Sequence, residues 1–401
     1  MKKILALLLA IAMVLSLAAC GKEASNSGDT TDNQGAVDTS GDTAVTPEPS
    51  KGEEGDVVEA ITGTYPEEKV LIGVEIYDPT DSEFLELQSY FNYLAETMNV
   101  EFKYSEAIQD ADGEMKFIED CAIAGAKGFM AYYNVTGVEQ PTAVTDYGMY
   151  FWGGAEDPAI YDAFKDNPLY LGSIHQGDGE FLGGQAIGEW VIEQGFDTVI
   201  FANGGADFGV PMFVKRQAGF LSALEGSNVK VITVSGFPGD QFFADQAAAL
   251  GTEGLDAVCA SFNGLDFWAQ PIASAGLADT VQLGTIGSLN TNFVEAFENG
   301  TIDLLASANG QRFGFAVGMI CNAVDGNADA LKADGVATNA GVDMWIIKNA
   351  EDARKLFEIQ NGEKIFSVDE IMSLSKKVNQ DASAQTITDL ISSATMDNLL
   401  K

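Results

Sequence analysis

Residues 169–195 read LYLGSIHQGDGEFLGGQAIGEWVIEQG, and the fold turns on how they are parsed. Leu169–Ser173 is a short apolar run of strand length, His175–Gly179 is a polar, glycine-bearing turn, and the remainder reads as a helix running to Gln194. Four strand-then-helix units precede this stretch and four more follow it. Repetition of one α/β pattern on either side of a single turn implies two similar lobes. The turn is then a hinge, and the gap between the lobes is the site.

Outward from the hinge the same rhythm holds. Val70–Ile76 (VLIGVEI) is an apolar run bounded by charge, suited to a strand covered on both faces. In the segment after it, Phe84, Leu87, Phe91, Leu94 and Met98 recur at three- and four-residue spacing, which is one face of a helix. Further strands are expected at Val100–Tyr104, Gly128–Tyr133 and Met149–Trp152, with helices at Gly113–Ala124, around Val138–Thr145 and at Asp157–Phe164. Beyond the hinge, strands are expected at Thr198–Ala202, Lys230–Val234, Ala257–Phe262, Val281–Ile286, Leu304–Ser307 and Asp343–Ile347. Helices at Met212–Leu224, Phe242–Leu250, Phe267–Ala275, Asn292–Asn299 and Phe313–Val324 alternate with them. Such alternation gives parallel sheets flanked by helices, whose ligands collect at the C-terminal ends of the strands. The tail, Ala350–Lys401, reads as two or three helices and carries no functional signal.

The N-terminus is of another kind. Lys2 and Lys3 precede an apolar run, Ile4–Leu17, which is short for a membrane span and is followed directly by Leu17-Ala18-Ala19-Cys20-Gly21. Small residues ending in Cys resemble the lipobox of bacterial lipoproteins, in which the Cys carries the lipid. That resemblance implies a signal peptide over residues 1–20, lipidation of Cys20, and a soluble protein tethered to the membrane. Residues 21–68 are rich in Ser, Thr, Gly, Asp and Glu and lack the apolar content to fold, so a spacer is expected there.

With 46% hydrophobic residues the remaining chain can fill two cores. A net charge of −39 argues against nucleic acid, and weakly against an anionic ligand, because local charge can oppose the net. Cys121, Cys259 and Cys321 sit among apolar or small residues without CxxC spacing, and read as buried hydrophobes rather than a disulfide or metal framework. No cofactor and no metal are expected.

From Lys69 to Ile347 the chain resembles the type I periplasmic binding proteins of the ribose- and galactose-binding branch. Four stretches carry the likeness: Leu71-Ile72-Gly73-Val74, Tyr170–Ser173 with Leu182–Gly188, Arg216-Gln217-Ala218-Gly219-Phe220, and Phe297–Ile302. The resemblance implies two Rossmann-like lobes joined by three crossings. One lobe would comprise residues 69–172 and 312–337 and the other 173–311 and 338–348, leaving 349–401 as a C-terminal helical extension. It also implies a polar solute held in the cleft, no catalytic group, a monomer, and delivery to an ABC permease at the outer face of the cell membrane.

Carried over residue by residue, the resemblance makes Arg216 the donor of forked hydrogen bonds to ligand oxygens, and Asn263 the ligand-facing residue of its loop. Asp266 is offset from that loop's acidic partner and reads as a helix cap. Tyr77, Asp78 and Phe84 occupy the first strand-end loop, and Trp152, at the end of a strand, could stack on a sugar or a base. His175 reads as a polar residue lining the hinge, and Asn309 or Gln311 as the polar contact at the third crossing. Two departures stand out. Ile286 occupies the place of the family's sugar-binding aspartate, and Gly153-Gly154 replaces its Asp-Arg pair. Sugar is the expected solute, with a nucleoside or other aromatic solute as the alternative. A sensor that presents ligand to a signalling kinase or chemoreceptor is a rival reading. A hydrolase would need a nucleophile with its base or a metal cluster, and the sequence offers neither pattern.

If Cys20 carries the lipid, Cys20→Ser should move the protein from the membrane fraction to the medium. Retention of the variant on membranes, measured by fractionation, would refute lipidation at that residue.

Overall fold

The protein is described here by a computed structural model covering residues 64–401, except Asp78, Thr80, Asp81, Gln109 and Glu156. Two six-stranded sheets form its frame. The first contains β1 (Val70–Glu75), β2 (Val100–Tyr104), β3 (Gly128–Ala131), β4 (Tyr150–Gly153), β5 (Tyr170–His175) and, from much later in the chain, β11 (Thr338–Gly341), in the order β2-β1-β3-β4-β5-β11. The second contains β6 (Thr198–Gly204), β7 (Lys230–Ser235), β8 (Ala257–Ala260), β9 (Gln282–Ser288), β10 (Leu304–Ala308) and β12 (Trp345–Ile347), in the order β12-β10-β9-β8-β6-β7. Neighbours pair in parallel, except that β12 runs antiparallel to β10. The expected α/β class, two lobes of parallel sheet flanked by helices, is the observed one.

Local chemistry accounts for the helices. α1 (Ser82–Thr97) buries the anticipated face, Phe84, Leu87, Phe91 and Leu94, each at most 2% exposed. Each such side chain stabilises the lobe by roughly 1.5–3 kcal/mol. α2 (Ala111–Ile123) is capped by Asp110, and α4 (Pro158–Phe164) by Asp157 with proline at its first position; α3 (Glu139–Asp146) lies between them. The second lobe carries α5 (Gly179–Gln194), α6 (Pro211–Ala223), α7 (Asp240–Leu250), α8 (Gly264–Ser274) and α9 (Thr291–Glu298). α10 (Gly314–Val324) is almost wholly buried and packs back on the first sheet. Among the described residues no helix is long and apolar enough to cross a membrane.

Two expected boundaries move. β5 extends through His175, so the chain leaves the first sheet after that residue rather than after Gly172. Residues 338–341, expected in the second lobe, form β11 on the edge of the first sheet, pairing Thr338 with Gly172 and Gly341 with His175. The sequence Thr-Asn-Ala-Gly has no strand signature, and no strand was anticipated there. Gly172 makes the pairing possible. Its φ is +105°, and a Cβ at this position would stand 1.9 Å from Thr338 O.

The C-terminal extension forms α11 (Ala350–Asn361), α12 (Val368–Met372), α13 (Ala384–Ser393) and α14 (Met396–Leu399). It straddles both lobes. On the second, α11 packs along α9 with Arg354 paired to Glu298 at 2.5 Å, and Trp345 Nε1 donates to Ala394 O. On the first, Tyr90 Oη donates to Phe366 O at 2.7 Å, Val368 N–H donates to Tyr93 Oη, and Lys376 N–H donates to Asn322 Oδ1. Gln360 Nε2 lies between them, 3.2 Å from Glu86 Oε2 of the first lobe and 3.2 Å from Leu289 O of the second.

Gly172→Ala should destabilise the protein by about 2–4 kcal/mol, through both positive φ and collision with β11. Gly195→Ala, at the left-handed cap of α5 with open space around it, should cost only about 1 kcal/mol. Equal losses in denaturant melts would contradict the role assigned to the β5–β11 contact.

Candidate functional site between the lobes

Three segments cross between the sheets: residues 176–178, 309–313 and 342–344. Around them the C-terminal ends of the strands and their loops form the candidate site.

On the second lobe, α5 and α6 touch backbone to backbone. A Cβ on Gly184 would stand 1.9 Å from Arg216 O, and one on Gly219 1.9 Å from Phe181 O. The glycines of the LGGQAIG and RQAGF stretches are thus packing residues, and their contact sets the position of Arg216. The guanidinium is held on two sides: Nε donates to Glu180 Oε2 at 2.5 Å and Nη1 to Ser261 O at 2.7 Å. Beside it Phe213, Phe237 and Phe262 meet edge to face at 5.5–5.6 Å, with Phe237 41% exposed. Asp207 accepts from Ser235 Oγ, and also from Asn203, which together hold its carboxyl below the usual range. Asn263 takes a left-handed conformation, φ 37°, with its N–H on Ile286 O and its side chain exposed at the start of α8. Asp266 lies in the first turn of that helix, and the N-cap position belongs to Asn263.

On the first lobe, Tyr77 and Tyr133 stand half-exposed with ring centroids 5.0 Å apart. Beneath them is a buried polar network. Glu114 accepts from the backbone of Val135 and Thr136, from Thr136 Oγ1 and from Gln140 Nε2. Gln140 Nε2 also donates to Glu75 Oε2 at 2.8 Å. Burial, with the Glu114 carboxylate adjacent, pushes the Glu75 carboxyl up to about 9.

At the crossings, His175 Nδ1 accepts from Gly177 N–H at 2.7 Å, which leaves the proton on Nε2, facing Asn339 Oδ1 at 2.8 Å. Gln176, with its amide oxygen toward the guanidinium, accepts from Arg312 Nη1 and donates to Val342 O, each at 3.2 Å. Arg312 Nη1 also reaches Asn309 O, and Nη2 reaches Gly154 O. A cavity of about 300 Å³ opens between the lobes, and its lining includes Glu83 and Glu86 of α1, Ser288 at the end of β9, Gln311 of the crossing, and Gln360 and Lys364 of the extension. Burial, with Glu83 nearby, pushes the Glu86 carboxyl up to about 8.

The structure sorts the anticipated residues into two groups. Tyr77, Arg216 and Asn263 stand at the strand ends, and His175 and Asn309 at the crossings. Asp78 and Cys20 lie outside the described residues. Phe84 is core, packed on Tyr104 and Tyr132. Trp152 is fully buried against Phe313, with no face open for stacking. Ile286 is 1% exposed within β9, because that strand runs two residues further, to Ser288. Gln311 gives both ends of its amide to the extension, donating to Gln360 O and accepting from Ile365 N–H. Arg312 and Glu75 were not anticipated. A lone arginine opening an apolar helix was a signal available for the first; nothing in the sequence marks the second.

No family model and no curated protein matches this sequence. Solved structures do. A galactofuranose binding protein superposes with a TM-score of 0.57 at 15% identity, covering 72% of this chain and 98% of its own. An ABC transporter periplasmic solute binding protein from Actinobacillus succinogenes, with bound D-allose, gives 0.59 at 13% identity over 71% and 99%. The XylFII–LytSN complex gives 0.53 at 16% over 71% and 98%. The chain has the type I periplasmic-binding-protein fold. It is also longer than these neighbours, which are nearly fully covered while leaving more than a quarter of it unmatched.

Between the ordinary carboxyl value of 4.5 and about 9, only the folded state keeps a proton on Glu75. Stability therefore falls as pH rises through that window, by roughly 1 kcal/mol per pH unit at most from this group. Glu75→Gln should melt like the unaltered chain at pH 4 and above it at pH 8. An unchanged difference between the two across that range would show that Glu75 is ionised in the fold.

Proposed function

We propose that the protein is a lipid-anchored, extracellular solute-binding protein that captures a small sugar between its lobes and delivers it to an ABC-type permease. The observation that carries this reading is the arrangement of the site: polar and aromatic groups at the strand ends of two separate sheets joined by three crossings, with a cavity lined from both lobes. Structures of the same fold have been solved with sugars bound, D-allose among them. Binding of this kind needs differential contact between an open and a closed state and no reacting group. Among the described residues no three His, Cys, Asp or Glu side chains gather as a metal site. In this reading Arg216, Asn263 and Tyr77 contact the solute, while Cys20 holds the chain to the membrane.

A second reading has one observation behind it. A structure of this fold was solved as the XylFII–LytSN complex, with a second component bound. The same lobes could present their solute to a sensor rather than a permease, and a stable solute-dependent complex with one or the other distinguishes the two.

The test is a thermal-shift screen of the whole chain against pentoses, hexoses, inositol, nucleosides and amino acids. A solute that binds only the native state at a hundred times its Kd adds about 2.7 kcal/mol of stability, a shift of a few degrees here. Sugars should give that shift, and Arg216→Ala should remove it. Shifts with nucleosides or amino acids alone would exclude sugar as the solute.

A further inference from the structure

We propose that the hinge end of the cleft holds a carboxylate of the solute against Arg312, so that the solute is an acidic sugar, a uronic or aldonic acid, rather than a neutral one. This rests on the solute-binding reading above and narrows it.

Three buried N–H donors at or beside the crossing 309–313 have no hydrogen-bond partner among the described residues: Arg312 Nε, Asn309 Nδ2 and, at the end of β4, Trp152 Nε1. Their residues are 7%, 1% and 0% exposed. They belong to one neighbourhood. The Arg312 guanidinium lies 4.5 Å from the centroid of the Phe313 ring, and the Trp152 ring lies 5.3 Å from it. Arg312 Nη1 donates to Asn309 O at 3.1 Å, and Nη2 to Gly154 O, two residues beyond Trp152. Every unsatisfied side-chain group here is a donor.

The charge is unsatisfied too. Arg312 makes no ion pair with a described carboxylate; its hydrogen bonds go to carbonyl and amide oxygens. Glu83 and Glu180 act on it from a distance, and Glu180 is engaged by Arg216. Arg216, the arginine that the family resemblance favours, is already neutralised and partly saturated. A buried charge without a counter-ion is destabilising, as are buried donors left unpaired. One carboxylate answers all of these needs, since it accepts only, offers about four lone-pair positions, and fits an arginine edge in a fork. A sugar hydroxyl accepts but also brings a hydrogen that needs an acceptor, and no unsatisfied acceptor stands in this cluster. The approach is at hand, because Ala308, Gly310 and Gln311, the neighbours of Asn309 and Arg312, line the interlobe cavity. The chain's net charge of −39 is thus opposed locally at one point.

The experiment is calorimetry on the whole chain with D-galacturonate and D-gluconate beside neutral D-galactose, L-arabinose, D-allose and myo-inositol. An acid should bind at least tenfold tighter than any neutral sugar. Arg312→Lys, which keeps the charge and loses the fork, should weaken the acid at least tenfold. Trp152→Phe keeps a ring and removes one donor; the smaller ring should lower the melting point of the unliganded chain modestly, and at a temperature where both chains are folded it should weaken the acid three- to tenfold. It therefore tests the site even if the buried lysine unsettles the fold. Binding of neutral sugars but not acids would overturn the proposal and leave the solute-binding reading standing. Binding of neither class would overturn both. Acid binding that survives both substitutions would place the anion elsewhere and overturn the proposal alone.

Discussion

The pairing of β5 with β11 at Gly172 is the constraint on which the molecule's geometry depends. A strand from residues 338–341 can lie beside β5 only because residue 172 has no side chain and accepts a positive φ. That contact returns the chain to the first sheet after its passage through the second. It creates the last crossing, and it puts Asn339 within reach of His175 at the point where the first crossing begins. Position of the hinge, separation of the lobes and composition of the cleft floor all follow from it.

The extension adds a second constraint of a different type. Its first helix and the turn at Ala394 are seated on the second lobe and α12 and α13 on the first, with Gln360 reaching both. Gln311, a residue of the crossing itself, is saturated by this segment. Relative motion of the lobes must therefore stretch or carry the extension. Because Gln360 and Lys364 also line the interlobe cavity, the segment forms one of its walls as well as spanning the lobes.

Electrostatics within the cleft differ from those of the chain as a whole. Glu75 and Glu86 are held protonated toward neutral pH by burial and by neighbouring acids, and Glu180 is matched by Arg216. Much of the formal negative charge near the site is thereby silenced. Arg312 is the contrasting case, a cation kept among carbonyls and aromatic rings. The aromatic groups divide similarly: Phe237 and Tyr77 reach solvent at the strand ends, whereas Trp152 and Phe84 close the core behind them.

What the sequence by itself determined was periodic. Short apolar runs alternating with 3.6-residue apolar repeats placed nearly every strand and helix, because strands covered on both faces and helices covered on one impose those patterns on an α/β chain. The order of units around His175–Gly179 was enough for two lobes and a cleft, and the resemblance to periplasmic binding proteins added Arg216 and Asn263. The tertiary structure decided what has no period. β11 forms from Thr-Asn-Ala-Gly because a neighbouring glycine admits it, and no local signal in those four residues says so. Trp152 and Gln311 were legible as residue types suited to a site and Ile286 as a departure at one, yet their faces and amides are taken by Phe313, the extension and the β9 core. Arg312 stands out for the opposite reason, since only the packing around it shows which of its donors remain unspent. Partnership between side chains far apart in sequence depends on which segments meet, and that is settled by the fold.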